Sequence, residues 1–212
     1  MIVAVTGVKR SGKDTAASYL TTSFKVSAEG NEEGFERSSF LTLYHFADPL
    51  KKALEDIYGW DHSIWDSPEK EKEDPYWGIS PRLAAQLLGT EWSMLLADRS
   101  PGYAMLTGRR TYVKSLLRCA GNYPGKNFVV SDLRFQYEVS ALQEFGLEMN
   151  TPIHILRIRR PEVETTIDPH PSEQEILTLD AETEILNDGT IEDLYSNLDM
   201  FARSIGLTSN RE

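Results

Sequence analysis

The chain has 212 residues, 40% hydrophobic and 26% charged, an ordinary balance for a soluble protein and enough for one substantial core, so a single domain is expected. No apolar run approaches the roughly 18 residues of a membrane span, residues 1–5 are too short for a signal segment, and the lone Cys119 excludes an internal disulfide, which together point to the cytoplasm. A formal net charge of −11 excludes a general nucleic-acid binder, because displacing counterions from a phosphate backbone needs a basic surface.

Residues 2–5 (IVAV) read as a short buried strand closed by a glycine turn, and a helix follows over about 13–24. Residues 27–39 are rich in Gly, Ser and Glu and read as an exposed loop; residues 40–47 give a second strand. Asp48 as N-cap and Pro49 at the first helical position open the next helix. Residues 61–79, interrupted by Pro68, Pro75 and Gly78, are expected to form a mobile excursion with little regular structure. Its neighbouring and internal aromatics, Trp60, Trp65, Tyr76 and Trp77, either stack on a base or anchor the segment.

A helix then starts at Ser80 and Pro81 and ends at Gly89, with more helix over 111–120. Residues 127–130 form a buried strand ending at Ser131 and Asp132. A helix over 138–145, a strand over 153–158, a last strand with its turn over 182–189, and a helix capped by Thr190 complete the chain. This alternation predicts an α/β fold in which helices cover both faces of a parallel sheet and ligands sit at the carboxyl ends of its strands.

The stretch GVKRSGKDT, residues 7–15, follows the first strand and opens the first helix. Gly7, Gly12 and Lys13 match the glycine-rich phosphate loop, whose amides approach phosphate oxygens while the lysine reaches the terminal phosphates; Lys9, Arg10 and Ser11 fill the bend. The hydroxyl expected after the lysine is replaced by Asp14, with Thr15 one place later. A carboxylate about 4 Å from a phosphate charge is repelled by roughly 4 kcal/mol at an effective dielectric near 20. Asp14 must therefore face Mg²⁺ or its waters, or turn aside toward the loop and a neighbouring base. Thr15 and Asp14 are the candidate metal residues, and the Lys-x-Thr order points to small-molecule kinases.

A kinase of this build must also hold an anionic acceptor in line with the donor. Lys51 and Lys52, behind Asp48 and Pro49, suit an acceptor phosphate, or else are solvated lysines on a capped helix. Arg82, Gly89 and Thr90 in the 80–92 segment belong equally to a capped core helix. Asp132 sits where a metal-directed carboxylate would, with Arg134 and Glu138 beyond it either as ligand contacts or as an ion pair at helical spacing. Arg157, Arg159 and Arg160, with residues 168–173 (DPHPSE), are candidates for a closing lid that neutralises the transferring phosphoryl group. His170 has no metal partner in the sequence and reads as a loop or substrate contact.

These stretches, together with QLLGTEW, VVSDLRFQYEVSAL, IHILR and ILNDGTIEDLYSNL, resemble the bacteriophage deoxynucleoside monophosphate kinases of the T-even type, in order and over nearly the whole chain. The resemblance implies a P-loop NTPase-type sheet within one domain, 1–212, carrying a mostly helical substrate-binding insertion over about 59–125 and a lid-like loop over about 159–180. It implies ATP as donor, Mg²⁺ as cofactor, a deoxynucleoside monophosphate as acceptor, and a homodimer with neither nucleic-acid nor membrane partners. By the same likeness Lys51, Arg82, Gly89, Thr90, Asp132, Arg134 and Glu138 contact the acceptor. Lys13, Arg10 and Arg134 are the catalytic candidates, and Arg157 and Arg159 join the loop at the donor. Other kinases of small metabolites, such as those of dephospho-coenzyme A or phosphomevalonate, and a regulatory nucleotide-binding module are the alternatives.

Overall fold

A computed structural model describes residues 1–26, 40–107, 110–123, 125–164 and 171–210. The expected loop over 27–39 and the part of the lid segment holding His170 lie outside the described residues.

In chain order the elements are β1 (Ile2–Thr6), α1 (Lys13–Ser23), β2 (Phe24–Val26), β3 (Leu41–Tyr44), α2 (Asp48–Tyr58), two 3₁₀ turns (His62–Asp66 and Pro68–Glu71), and α3 (Pro81–Gln86). A π-helical turn (Leu87–Glu91), α4 (Trp92–Arg99), α5 (Pro101–Leu106), α6 (Thr111–Asn122), β4 (Asn127–Leu133) and α7 (Gln136–Glu148) come next. They are followed by β5 (Ile153–Arg159), α8 (Pro161–Glu164), α9 (Pro171–Ile176), β6 (Thr183–Leu186), α10 (Ile191–Ser204) and β7 (Leu207–Ser209). The chain divides into two compact units, residues 1–45 with 116–212, and residues 46–115.

The first unit is the α/β body. Its five-stranded sheet has the order β3-β4-β1-β5-β6, and every pairing is parallel. β1 lies at the centre and all five of its residues are buried, which is why it reads as an unbroken apolar run with no alternation. Val3 and Val5 share one cluster with Ala16, Ala17 and Leu20 of α1 and with Leu194, Leu198, Phe201 and Ala202 of α10. Two short strands escape sequence reading: β2 and β7 pair antiparallel through Phe24 and Ser209, each only three residues long and so too short to show a pattern. Asn210 continues this tie, its amide nitrogen donating to the Ser23 carbonyl at 2.8 Å.

The second unit is helical, and three expectations change there. Asp48 is the first residue of α2 and Ala47 the cap position, with no side-chain capping bond; Pro49 still lies in the first turn. Residues 61–79 are well built: Trp60 and Trp65 are buried against Leu50, Leu54 and Ala84, the Trp60 indole N–H donates to Asp74 at 2.8 Å, and the Trp65 N–H donates to Glu55 at 2.8 Å. Asp74 also accepts from the amides of Tyr76 and Trp77, and with the Trp60 bond foremost its carboxyl is held below the ordinary range. Tyr58 and Trp60 stack at 4.4 Å, so these rings hold the segment to α2. Finally, the helix begun at Pro81 does not stop at Gly89. It passes through the π-turn into α4, since Gly89 does not adopt the left-handed backbone of a glycine stop; a methyl group there would sit 3.1 Å from Leu50 Cδ1.

Among the described residues, no helix is long and apolar enough to cross a membrane.

Candidate active site

The bend between β1 and α1 owes its shape to two glycines. Gly7 has φ +156°, and a Cβ there would lie 2.5 Å from the Ile158 carbonyl oxygen and 2.4 Å from Ser11 Oγ. Gly12 has φ +97°, and its Cβ would lie 2.5 Å from Asn187 Nδ2. Both positions need φ values that side chains resist and space that neighbours already occupy. Arg10 also adopts a left-handed backbone, φ +68°, and with Lys9 it is exposed at the rim. The Ser11 amide donates to the Val8 carbonyl at 3.1 Å, closing the turn.

Gly12 caps α1 without a side chain, so no side-chain oxygen competes for the first-turn amides, which have no partner within the helix. Ser11 Oγ is buried and makes no hydrogen bond, an orphaned polar atom of the kind that marks a place for an incoming group. Lys13 is buried too, and its Nζ lies 3.1 Å from Asp14 Oδ2, whose carboxylate is largely exposed. Of the two orientations open to Asp14, the structure shows the turn aside toward a neighbouring base. Thr15 is half-buried on the next position of the same turn. Such a bend, with free amides, an orphaned hydroxyl and a buried ammonium, can hold a chain of phosphates.

The carboxyl end of β4 forms a second cluster. Its register against β1 slips by one residue, since Ala4 faces Val130 while Thr6 faces Leu133, and the extra residue falls at Ser131 or Asp132. Irregularities of this kind re-aim side chains next to active sites. Asp132 therefore lies within the irregular end of the strand, one residue before its last, Leu133. The Thr6 hydroxyl donates to the Leu133 carbonyl at 2.8 Å, and Ser131 Oγ lies 2.6 Å from His45 Nδ1 at the end of β3.

Glu138 is buried, and its Oε2 accepts from the main-chain amides of Arg134 at 2.8 Å and Phe135 at 3.0 Å. Glu138 thus bonds the backbone of Arg134 and Phe135 and fixes the turn into α7. Burial pushes the Glu138 carboxyl up to about 8, against the pull of those two amides. Glu175 of α9 accepts from the Gln136 amide at 2.8 Å, securing the same turn from the other side.

The later arginines are engaged. Arg157 bonds Glu184, its register neighbour on β6, and the Leu179 carbonyl. Arg159 makes two bonds to Glu164, at 3.1 and 2.7 Å, and Arg160 lies 3.3 Å from Glu162. The phosphate bend, Asp132, Arg134, Glu138, Arg157 and Arg159 all belong to the α/β body.

Lys51, Lys52, Arg82, Gly89 and Thr90 belong to the helical unit. Lys51 Nζ lies over the Trp65 ring at 6.0 Å, and Lys52 pairs with Asp56 at 2.6 Å on the surface. Arg82 is exposed on the first turn of α3; Gly89 and Thr90 lie in the π-turn, a distortion common at functional sites. An open apolar groove of about 630 Å³ is lined by Leu54, Ile57, Leu87 and Trp92, and by none of these five.

Two participants escape sequence reading. Asn187 donates from Nδ2 to the Ser11 carbonyl at 2.8 Å, and His45 meets Ser131. The Asn-Asp-Gly turn was the only signal for the first; nothing in the sequence marks the second. Among the described residues, no cluster of three or more His, Cys, Asp or Glu is arranged to hold a metal.

The family model of deoxynucleotide monophosphate kinases matches residues 71–198. A protein of Acanthamoeba polyphaga mimivirus, itself provisionally assigned as a deoxynucleotide monophosphate kinase, is 31% identical over 206 residues, covering 93% of this chain and 94% of the relative. Two solved structures are more distant: the tunicamycin resistance protein of Deinococcus radiodurans (12% identity, TM-score 0.44, 98% and 97% of the two chains) and a provisionally assigned kinase of Chloroflexus aurantiacus (13%, 0.43, 96% and 94%). At these scores neither bears on the chemistry.

Proposed function

The chain belongs to the deoxynucleotide monophosphate kinase family, and on that premise we propose that it transfers the terminal phosphate of ATP to a deoxynucleoside monophosphate, giving the diphosphate for DNA precursor synthesis. The observation that carries the reading is the bend at Gly7 to Lys13: collision-limited glycines, an uncapped helix start, an orphaned buried hydroxyl and a buried lysine. The glycines shape the bend, while the orphaned hydroxyl and the buried lysine match a polyphosphate and are not needed by a merely structural turn.

In this scheme the loop amides and Lys13 hold the donor phosphates. Asp14 and Thr15 would offer Mg²⁺ the hard oxygen donors that suit it, a phosphate replacing Asp14 as the partner of Lys13. Bound there, Mg²⁺ would offset charge on the donor phosphates. Arg10 on the rim and Arg134 beyond β4 are the residues to screen the moving phosphoryl group. Arg157 and Arg159 would have to leave Glu184 and Glu164 to take part, so they are assigned the lesser share.

Lys51, Lys52, Arg82, Gly89, Thr90, Asp132, Arg134 and Glu138 are the residues this reading assigns to the acceptor. The acceptor is already an oxyanion, so positioning dominates and no strong base is required. The same reading takes the chain as the T-even phage type, a homodimer at work in the host cytoplasm, binding nucleotides and neither nucleic acid nor membrane.

The test is ADP release across dAMP, dGMP, dTMP, dCMP and their ribose counterparts, with dephospho-coenzyme A and phosphomevalonate as controls. Turnover confined to one or more deoxynucleotides supports the reading. Turnover only with a control, or with no acceptor at all, contradicts it.

A further inference from the structure

The turn between β6 and α10 is built as a rigid bracket. At one end the Asn187 amide donates to the Arg159 carbonyl at 2.7 Å, fastening the turn to the end of β5. At the other, Thr190 and Asp193 cap α10 reciprocally: the Thr190 amide donates to Asp193 Oδ2 at 2.9 Å, and the Asp193 amide donates to Thr190 Oγ1 at 3.2 Å. Between them Gly189 passes so close to Asp193 that a Cβ would lie 2.6 Å from its Oδ2. α10 itself is anchored in the core by Leu194, Leu198 and Phe201.

From this bracket the Asn187 side chain reaches across to the phosphate bend. Its Nδ2 donates to the Ser11 carbonyl at 2.8 Å and fills the space a side chain on Gly12 would need. A trans peptide places its C=O and N–H on opposite sides. With the Ser11 carbonyl drawn toward Asn187, the Gly12 N–H of the same peptide is turned the opposite way. We infer that Asn187 is a positioning residue for the donor site: it fixes the plane of the Ser11–Gly12 peptide and so aims the Gly12 amide at the donor's phosphates. The inference rests on the kinase reading above and adds a residue that the loop motif does not contain.

Two substitutions separate this role from simple support. Asn187→Ala removes the donor and frees the peptide; losing one such bond should weaken ATP about tenfold by calorimetry, with the KM for the monophosphate acceptor unchanged. Asn187→Asp keeps the size but, when ionised, sets a carboxylate against the Ser11 carbonyl oxygen. It should bind ATP still more weakly than the alanine variant at pH 8 and regain affinity near pH 5, where the introduced carboxyl can protonate and donate.

Inorganic tripolyphosphate, which offers phosphates and no base, should show the same ranking as ATP. Thermal unfolding without ligand reports the structural share separately: a variant that is merely loosened shifts its midpoint, yet gains no affinity on acidification relative to wild type. Equal ATP affinity in all three proteins, or losses in the aspartate variant that ignore pH, overturns the inference while leaving the kinase reading in place. A wild-type chain that binds neither ATP nor tripolyphosphate overturns both.

Discussion

The α/β body and the helical unit solve the same problem, holding polar groups in place, by different means. In the body, the central strands β1 and β4 are buried almost throughout and form an apolar slab, and the polar atoms that matter collect toward the carboxyl ends of the strands: Ser11, Lys13, Ser131 and Glu138 are all buried there. In the helical unit, a few large rings do the fastening. Trp60 and Trp65 are buried, while Ile57, Leu83, Met94 and Leu95 remain exposed on short helices. The body can therefore impose fixed geometry on a ligand, whereas the order of the helical unit hangs on a handful of contacts. Substitutions should divide accordingly, chemistry failing first in one and folding in the other.

The largest expected effect is on the body's chemistry. Lys13→Ala should reduce the rate of phosphoryl transfer by about 10²–10³-fold, with circular dichroism and unfolding midpoint unchanged. Loss of folding together with activity would show that the buried ammonium is structural. In the helical unit, Trp65→Ala should act the opposite way, costing about 3–5 kcal/mol of that unit's stability through the cavity left behind. Limited proteolysis should then cut within residues 61–79 while the sheet stays resistant. Cleavage spread evenly over both units would erase the contrast.

A subtler effect concerns Glu138. Its carboxyl lies at about 8 in the folded chain against an ordinary 4.5, because burial favours the neutral form. Over that window the unfolded chain has released this proton and the folded chain retains it. Its contribution to stability is therefore complete below about 4.5 and is lost as the pH rises toward 8. Glu138→Gln, which keeps an oxygen to accept from the Arg134 and Phe135 amides, should flatten the fall in stability measured by urea unfolding across that range. An unchanged slope would mean that Glu138 is ionised when folded.

The smallest effect belongs to Gly89→Ala. Alanine gains up to about 1 kcal/mol in a helix over glycine, but its methyl would meet Leu50 Cδ1 at 3.1 Å, the mobile end of a side chain. Stability should change by less than about 1 kcal/mol, so a rise in the acceptor KM would report contact with the substrate directly.

Legibility in the sequence followed the same division. The glycine bend, the buried strand before it and the Thr190 cap each carry their signal within a few residues, and their positions follow from spacing alone. The excursion over 61–79 looked irregular because its order comes from contacts that span ten residues or more, such as Trp60 to Asp74 and Trp65 to Glu55. Gly89 reads as a helix end because a glycine stop and a glycine inside a continuing helix are the same letter. Asn187 was hidden for a stronger reason: its partner, Ser11, lies 176 residues away. Asp14 is legible as an anomaly, and the structure adds only its contact with Lys13.

In the proposed reaction one polyphosphate passes a phosphoryl group directly to one monophosphate on this chain. It is tested most directly by counting both products from a reaction containing ATP, Mg²⁺ and an accepted deoxynucleoside monophosphate. ADP and deoxynucleoside diphosphate should appear one for one, with no inorganic phosphate; ADP accompanied by free phosphate in place of the second diphosphate would contradict direct transfer.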